Sequence, residues 1–159
     1  FLKLIVMKFL LATILLLYFS TSIAQFDVVR MRELFELVDK DEKYYHELDK
    51  LTKDATHHQP IAFGYRALYS FMRAKYLYWP NQKLAAFNTG KKIIEAIITL
   101  NPKEPELRLI RYSVQYNVPA ILGYSDNLSA DKKGLAAAKN DPKYKPINYL
   151  INGVLITYP

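Results

Sequence analysis

The polar side chains that could do chemistry are concentrated in one stretch, Glu106 to Asn117. Arg108, Arg111 and Gln115 follow one another at spacings of three and four residues, which places them on one face of a helix. Two guanidinium groups one turn apart could clamp a carboxylate or a phosphate through paired hydrogen bonds. The same residues could instead brace two helices by pairing with an acid of this chain, and their types and spacing favour this brace.

The other reactive groups match no catalytic or metal-binding signature. His57 and His58 are adjacent, so on a helix they point about 100° apart and do not face one ion together. The chain contains no cysteine, which excludes a thiol nucleophile and a thiolate metal site. It also lacks a G-x-S-x-G serine motif and a phosphate-cradling glycine loop. We therefore assign no catalytic residue, expect no metal and no cofactor, and favour a protein that is not an enzyme.

The beginning of the chain predicts export. Met7-Lys8 precedes an almost wholly apolar run, Phe9 to Phe19, and the small residues Ser22 and Ala24 fit the −3 and −1 positions of a cleavage site. We predict a signal peptide over residues 1–24, with residues 1–6 upstream of the true start. The expected location of the mature protein is the periplasm or the outside of the cell.

An uncleaved N-terminal anchor and a buried core helix are the alternatives, and the anchor is the one way in which we expect the chain to contact a membrane. Even counted from Leu4 to Phe19 the apolar segment has 16 residues, whereas a transmembrane helix needs about 20. Residues 25–159 carry 20 basic and 15 acidic side chains, a net charge of +5. These charges are mixed along the chain and form no recognised nucleic-acid motif, so we expect no nucleic-acid partner.

Hydrophobic periodicity predicts an all-α fold of antiparallel helical hairpins, with about five to six helices after the signal helix. The predicted helices cover Phe26–Lys40, Asp41–Thr56, Ile61–Tyr78, Gln82–Leu100, the segment between Pro105 and Pro119, and Ala130–Lys139. These helices form one domain over residues 25–142. The tail, residues 143–159, is rich in β-branched residues. Its sequence is compatible with a short helix at Ile147–Asn152 or with a strand.

Two glycines carry specific expectations. Gly90 lies inside the fourth predicted helix, where glycine costs up to about 1 kcal/mol against alanine, so we expect close contact with the third helix there. Gly123 follows Pro119 in a predicted turn, and we expect it to adopt a positive φ.

One short segment is similar to part of a helical-repeat unit. Ile94 to Pro102 resembles the end of a tetratricopeptide (TPR) unit, in which the second helix closes on an Asn-Pro turn. Gly90 and Ile97 stand where that repeat prefers alanine, and no second copy follows at a distance of about 34 residues. The pattern therefore indicates a TPR-like arrangement with one degenerate unit.

A longer segment resembles an uncharacterised family of exported helical proteins of Gram-negative bacteria. The resemblance runs from Phe63 to Lys133, about half of the mature chain. It depends on Gly64-Tyr65-x-Ala67, Leu100-Asn101-Pro102, the polar positions between Glu106 and Tyr124, and Asp131-Lys132-Lys133. It implies a secreted or periplasmic helical domain and implies no chemistry.

These observations favour an exported, non-catalytic binding or scaffold protein with a protein partner in the cell envelope. We expect its binding surface in a groove between the third and fifth helices, formed by Tyr65, Arg108, Arg111, Gln115 and Tyr124. The alternative is a small envelope hydrolase or ligand carrier in which the same arginines orient an anionic group.

Overall fold

The computed structural model describes residues 26–159, which form seven α-helices, two short 3₁₀ segments and no β-strand. The helices are α1 (Val28–Leu37), α2 (Glu42–Thr52), α3 (Pro60–Tyr76), α4 (Pro80–Leu100), α5 (Pro105–Asn117), α6 (Leu128–Ala138) and α7 (Asn148–Thr157). The 3₁₀ segments are Ala120–Leu122 and Pro142–Ile147. The all-α prediction is confirmed for these residues, and the predicted signal helix lies outside the described part of the chain.

Aspartate and proline define most of the helix starts. The side chains of Asp27 and Asp41 each accept a hydrogen bond at 2.9 Å from a backbone N–H in the first turn, of Arg30 and Lys43 respectively. α3, α4 and α5 each begin with a proline, whose missing N–H is no loss in a first turn. The predicted boundaries before α2, α3 and α4 therefore lie within two residues of the observed ones.

The C-terminal segment, residues 143–159, for which the sequence allowed either a helix or a strand, is helical. α7 buries Leu150, Ile151 and Val154 against Tyr112 of α5 and Leu135 of α6. Local propensity is a weak determinant beside burial of this kind, so the β-branched residues are accommodated in a helix. Residues 143–159 consequently belong to the packed structure.

The odd-numbered helices form one layer and run parallel to one another. α1 contacts α3, α3 contacts α5 and α5 contacts α7, while each even-numbered helix packs beside the two helices that precede and follow it in the chain. At one end of the layer, Arg32 of α1 and Tyr65 of α3 both contact Glu106 of α5, and all three lie in the N-terminal halves of their helices. At the other end, Lys75 of α3 donates from Nζ to the carbonyl of Asp39, which follows α1, at 2.8 Å.

Both expectations for individual glycines are confirmed. A Cβ added at Gly90 would lie 3.0 Å from the carbonyl oxygen of Ala67 and 3.0 Å from the ring of Phe71, so α4 approaches the backbone of α3 directly at this point. Gly123 has φ 55°, the left-handed conformation that lets the chain leave the 3₁₀ turn and bury Tyr124.

Two apolar clusters make up the interior, and α5 separates them. Leu107, Ile110 and Val114 face the cluster formed with α1 to α4, whereas Leu109 and Tyr112 face the cluster formed with α6 and α7. α5 is therefore covered on opposite sides, and polar groups on it are positioned by neighbouring helices rather than by solvent.

Within residues 26–159, no helix combines the length and the hydrophobicity that crossing a bilayer requires.

Candidate functional site

The arginine face predicted on α5 lies against α6, and its centre is the buried ion pair of Arg111 with Asp131. Nε and Nη2 of Arg111 donate to the two carboxylate oxygens of Asp131 at 2.7 and 2.8 Å. Arg111 is 5% exposed and Asp131 is fully buried. Burial alone would lower the pKa of Arg111, but the hydrogen bonds and charges of Asp131 and Glu95 together outweigh burial, and the pKa is raised.

Three more groups complete this cluster. Arg108 donates from Nη1 to Asp131 at 3.1 Å, and Nη1 of Arg111 donates to Glu95 of α4 at 2.6 Å. The hydroxyl of Tyr124 donates to the other oxygen of Glu95 at 2.5 Å. Burial and then the hydrogen bond to Glu95 raise the pKa of the Tyr124 hydroxyl well above its ordinary value, so it stays a donor. The two arginines and two acids balance in charge, and they join α4, α5 and α6.

Gln115 lies on the same face of α5 but at its other end. Its Nε2 donates to Oδ1 of Asn127, the residue that precedes α6, at 3.2 Å. Gln115 is 3% exposed, and its Oε1 has no hydrogen-bond partner among residues 26–159.

Tyr65 belongs to a second, separate cluster. Its hydroxyl donates to Oε1 of Glu106 at 2.9 Å, and Arg32 donates to both oxygens of the same carboxylate at 2.9 and 2.8 Å. Tyr65 is fully buried and Glu106 is 2% exposed. Burial, followed by the charge of Glu106, raises the pKa of Tyr65 well above its ordinary value. This cluster joins α1, α3 and α5.

The five residues chosen from the sequence therefore do not form one surface. Arg108, Arg111 and Tyr124 come together around Glu95 and Asp131, Gln115 lies about one turn of α5 beyond Arg111, and Tyr65 is in the other cluster. Four of the five are buried, and Arg108 is partly exposed. Their polar atoms are engaged mainly with other groups of this chain, which is the arrangement of a brace.

A groove of about 580 Å³ lies in the layer of odd-numbered helices. Its lining comes from all four odd helices, mostly from their C-terminal halves, and from the residues that follow α1, α5 and α7. The lining residues are Phe35, Glu36, Val38, Asp39, Lys40, Leu68, Phe71, Met72, Lys75, Ser113, Val114, Asn117, Val118, Leu150, Gly153, Val154, Thr157 and Tyr158. This volume is within the range of about 300–1,000 Å³ that is usual for ligand pockets.

The groove has an apolar floor and a polar rim. Buried apolar side chains from each odd helix form the floor, among them Val38, Leu68, Val114 and Val154. The rim holds two acids and two lysines, which balance in formal charge.

Gly153 of α7 lies at the groove and faces open space. It lies inside a helix, where glycine is unfavourable, and no atom lies within 4 Å of a Cβ built at this position. Packing within the chain therefore does not require glycine here, in contrast to Gly90. The groove could not be predicted from the sequence because its floor consists of ordinary core residue types, and Gly153 in an uncharged helix was the signal that could have indicated it.

The histidine pair lies apart from both clusters and from the groove. His57 and His58 are exposed in the turn between α2 and α3, with ring centroids 4.0 Å apart. No group of three or more His, Cys, Asp or Glu side chains in the described residues has the geometry to hold a metal ion.

Comparisons with known proteins return no relative. No protein-family model matches the sequence, and neither the curated proteins nor the solved structures contain a significant match.

Proposed function

We propose that this protein is an exported, non-catalytic helical binding protein with a TPR-like arrangement, and that it holds a partner protein in the groove at the C-terminal ends of its odd-numbered helices. The observation that carries the proposal is the composition of that groove, to which all four parallel helices contribute. Stacked hairpins of this kind present one face of successive helices as an extended binding surface.

The two ion-pair clusters support a role as a rigid scaffold. In the first cluster Glu106, which is 2% exposed, joins three helices. In the second cluster the fully buried Asp131 joins α6 to α5, and Glu95 links Arg111 to α4. A binding surface on rigid helices costs less conformational entropy on association than one on loops. The export part of the proposal rests on the signal pattern of residues 1–24 and on the resemblance to exported helical proteins.

The competing function, a hydrolase or ligand carrier with an arginine-lined groove, gains no support from the geometry. Arg111 is paired with Asp131 and Glu95, and Arg108 with Asp131 and the carbonyl of Pro102. Neither arginine lines the groove.

Filling the groove tests the proposal. Gly153→Phe places an aromatic ring in the open space above α7, and Ala137→Phe places the same ring on the exposed face of α6 as a matched control. Each protein is immobilised and exposed to an envelope extract of the organism that makes it, and retained proteins are quantified by mass spectrometry. A partner retained by the parent and by Ala137→Phe but lost with Gly153→Phe is the expected result. Retention that Gly153→Phe leaves unchanged would contradict the groove as the binding surface.

A further inference from the structure

We propose that the turn between α3 and α4, residues 77–79, binds the surface of an anionic lipid bilayer and places the side chains of Tyr78 and Trp79 among the headgroups. The contact is peripheral, because a turn reaches the interface and no helix crosses the bilayer. Neither aromatic residue lines the groove, so this inference goes beyond the proposed function and does not depend on it.

The turn presents a patch of large apolar side chains to solvent. Tyr78 is 81% exposed, and Trp79, the one tryptophan of the sequence, is 59% exposed. Their rings meet edge to face, with centroids 5.0 Å apart. The exposed Pro80 and Leu84 continue the patch along the first turn of α4, since residues four apart are neighbours on a helix surface. A contiguous exposed apolar patch of this kind is typical of a surface that contacts something outside the chain.

The size and chemistry of the patch favour a bilayer over a protein. A standard protein interface takes about 20–30 residues from each partner, whereas this patch consists of four side chains at the tip of a helical hairpin. A bilayer requires no complementary partner surface. Tryptophan and tyrosine are enriched at the level of the headgroups, where the ring lies in an apolar environment and the N–H or O–H stays hydrated.

The charge of the hairpin matches an anionic surface. Residues 60–100, which include α3, the turn and α4, carry six basic side chains and one acidic side chain. They are Arg66, Arg73, Lys75, Lys83, Lys91 and Lys92, against Glu95. The exposed Arg73 and Lys83 lie on either side of the turn, since the Arg73 carbonyl accepts from Leu77 N–H and the Lys83 N–H donates to the Trp79 carbonyl. Neither forms an ion pair with another residue of the described chain.

The acids nearest to the turn do not cancel this charge, because an equal number of lysines accompanies them. The acids are Asp39, Asp41 and Glu42, and the lysines are Lys40, Lys43 and Lys75. Burial, followed by the charges of these three acids, raises the pKa of Tyr76, the last residue of α3. Arg73 and Lys83 therefore remain as the excess charge beside the apolar patch.

The first test uses Trp79 as a probe of its own position, because the chain has no other tryptophan. The full chain is titrated with vesicles of phosphatidylcholine that contain phosphatidylglycerol, and with vesicles of phosphatidylcholine alone. We expect the Trp79 emission to shift to shorter wavelength with the anionic vesicles, and to be quenched by lipid brominated near the headgroup. A protein that floats with these vesicles while its Trp79 emission is unchanged would overturn the proposal, as would the absence of any binding.

The second test removes the aromatic pair with the double variant Tyr78→Ser, Trp79→Ser. Its matched control is Leu100→Ser, at an exposed apolar residue about 30 Å away at the other end of α4. All variants keep residues 1–25, so any lipid binding by that segment is common to them. In flotation with the anionic vesicles we expect the double variant to lower the partition coefficient about tenfold and Leu100→Ser to change it less than about twofold. Equal effects would place the contact elsewhere and overturn the proposal.

The third test separates local charge from net charge. Lys83→Glu and Lys103→Glu change the net charge equally, but Lys83 lies beside the patch and Lys103 follows the far end of α4. We expect Lys83→Glu to lower the partition coefficient at least about fivefold at low salt, and to do so more than Lys103→Glu. Equal losses from the two variants would show that net charge alone attracts the protein to the vesicles and would overturn the assignment of the turn.

Discussion

Arg111 and Asp131 are joined by two hydrogen bonds of 2.7 and 2.8 Å inside the protein, between α5 and α6. A buried pair of this kind is a poor source of net stability, but removing one partner leaves a buried charge without compensation. The pair therefore constrains where α6 packs on α5, and this constraint leads to the first prediction.

Arg111→Ala should lower the free energy of unfolding by about 3–5 kcal/mol, because Asp131 remains buried without its main partner. Arg108→Ala is the matched control and should cost less, on the order of 1 kcal/mol, since the Arg108 side chain is 27% exposed and Asp131 keeps Arg111. Urea denaturation measures the change in the free energy of unfolding of both variants, provided that the m-value is the same as in the parent. An Arg111→Ala protein as stable as the parent would contradict the brace.

Tyr65→Phe should lower the free energy of unfolding by about 1.5–3 kcal/mol, the range for a hydrogen bond to a charged group. The change removes the hydroxyl that donates to Glu106 and preserves the ring that fills the core. Tyr116→Phe, at a residue that is 44% exposed, should change stability by less than about 0.5 kcal/mol. Equal losses from the two variants would contradict the assigned role of the Tyr65 hydroxyl.

Gly153→Ala and Gly90→Ala should shift the melting temperature in opposite directions. Alanine at 153 meets open space inside a helix and should stabilise the protein by up to about 1 kcal/mol. Alanine at 90 would place a methyl group 3.0 Å from the carbonyl oxygen of Ala67, so α3 and α4 must separate and stability falls. Differential scanning calorimetry checks the signs, and a destabilised Gly153→Ala protein would show that the space above α7 is not open.

Glu104→Gln should change how stability depends on pH. Burial raises the pKa of Glu104 above its ordinary value of 4.5, so the folded protein holds this proton more tightly than the unfolded chain. Stability from this group is therefore present below pH 4.5 and is lost as pH rises through the raised folded-state pKa. Glutamine keeps the oxygen that caps α5 and removes the titration, so the variant should be the more stable protein at neutral pH. A pH profile parallel to that of the parent would exclude Glu104 as the titrating group.

The sequence predicted the local features of the fold well because caps, prolines and periodicity are local signals. The Asp41 cap, the proline starts and the shared face of Arg108 and Arg111 all follow from residues within one or two turns. The close approach at Gly90 was predicted for the same reason, since a glycine inside an apolar helix needs a packing cause.

The partners of the arginines and the groove could not be predicted in this way. Asp131 lies 20 residues from Arg111, and its selection over the other acids depends on how α6 packs against α5. The floor of the groove consists of apolar residues from all four odd-numbered helices and Val38, and the sequence identifies these residues as core positions. Only the parallel packing of those helices leaves their C-terminal halves partly uncovered.

The most direct test of the central claim is photocrosslinking in intact cells with p-benzoylphenylalanine in place of the exposed rim residue Lys40. We expect a defined adduct with a partner protein that persists when Ala137→Phe is added and disappears when Gly153→Phe is added. An adduct that Gly153→Phe leaves unchanged would contradict the claim that the groove of the odd-numbered helices is the binding surface.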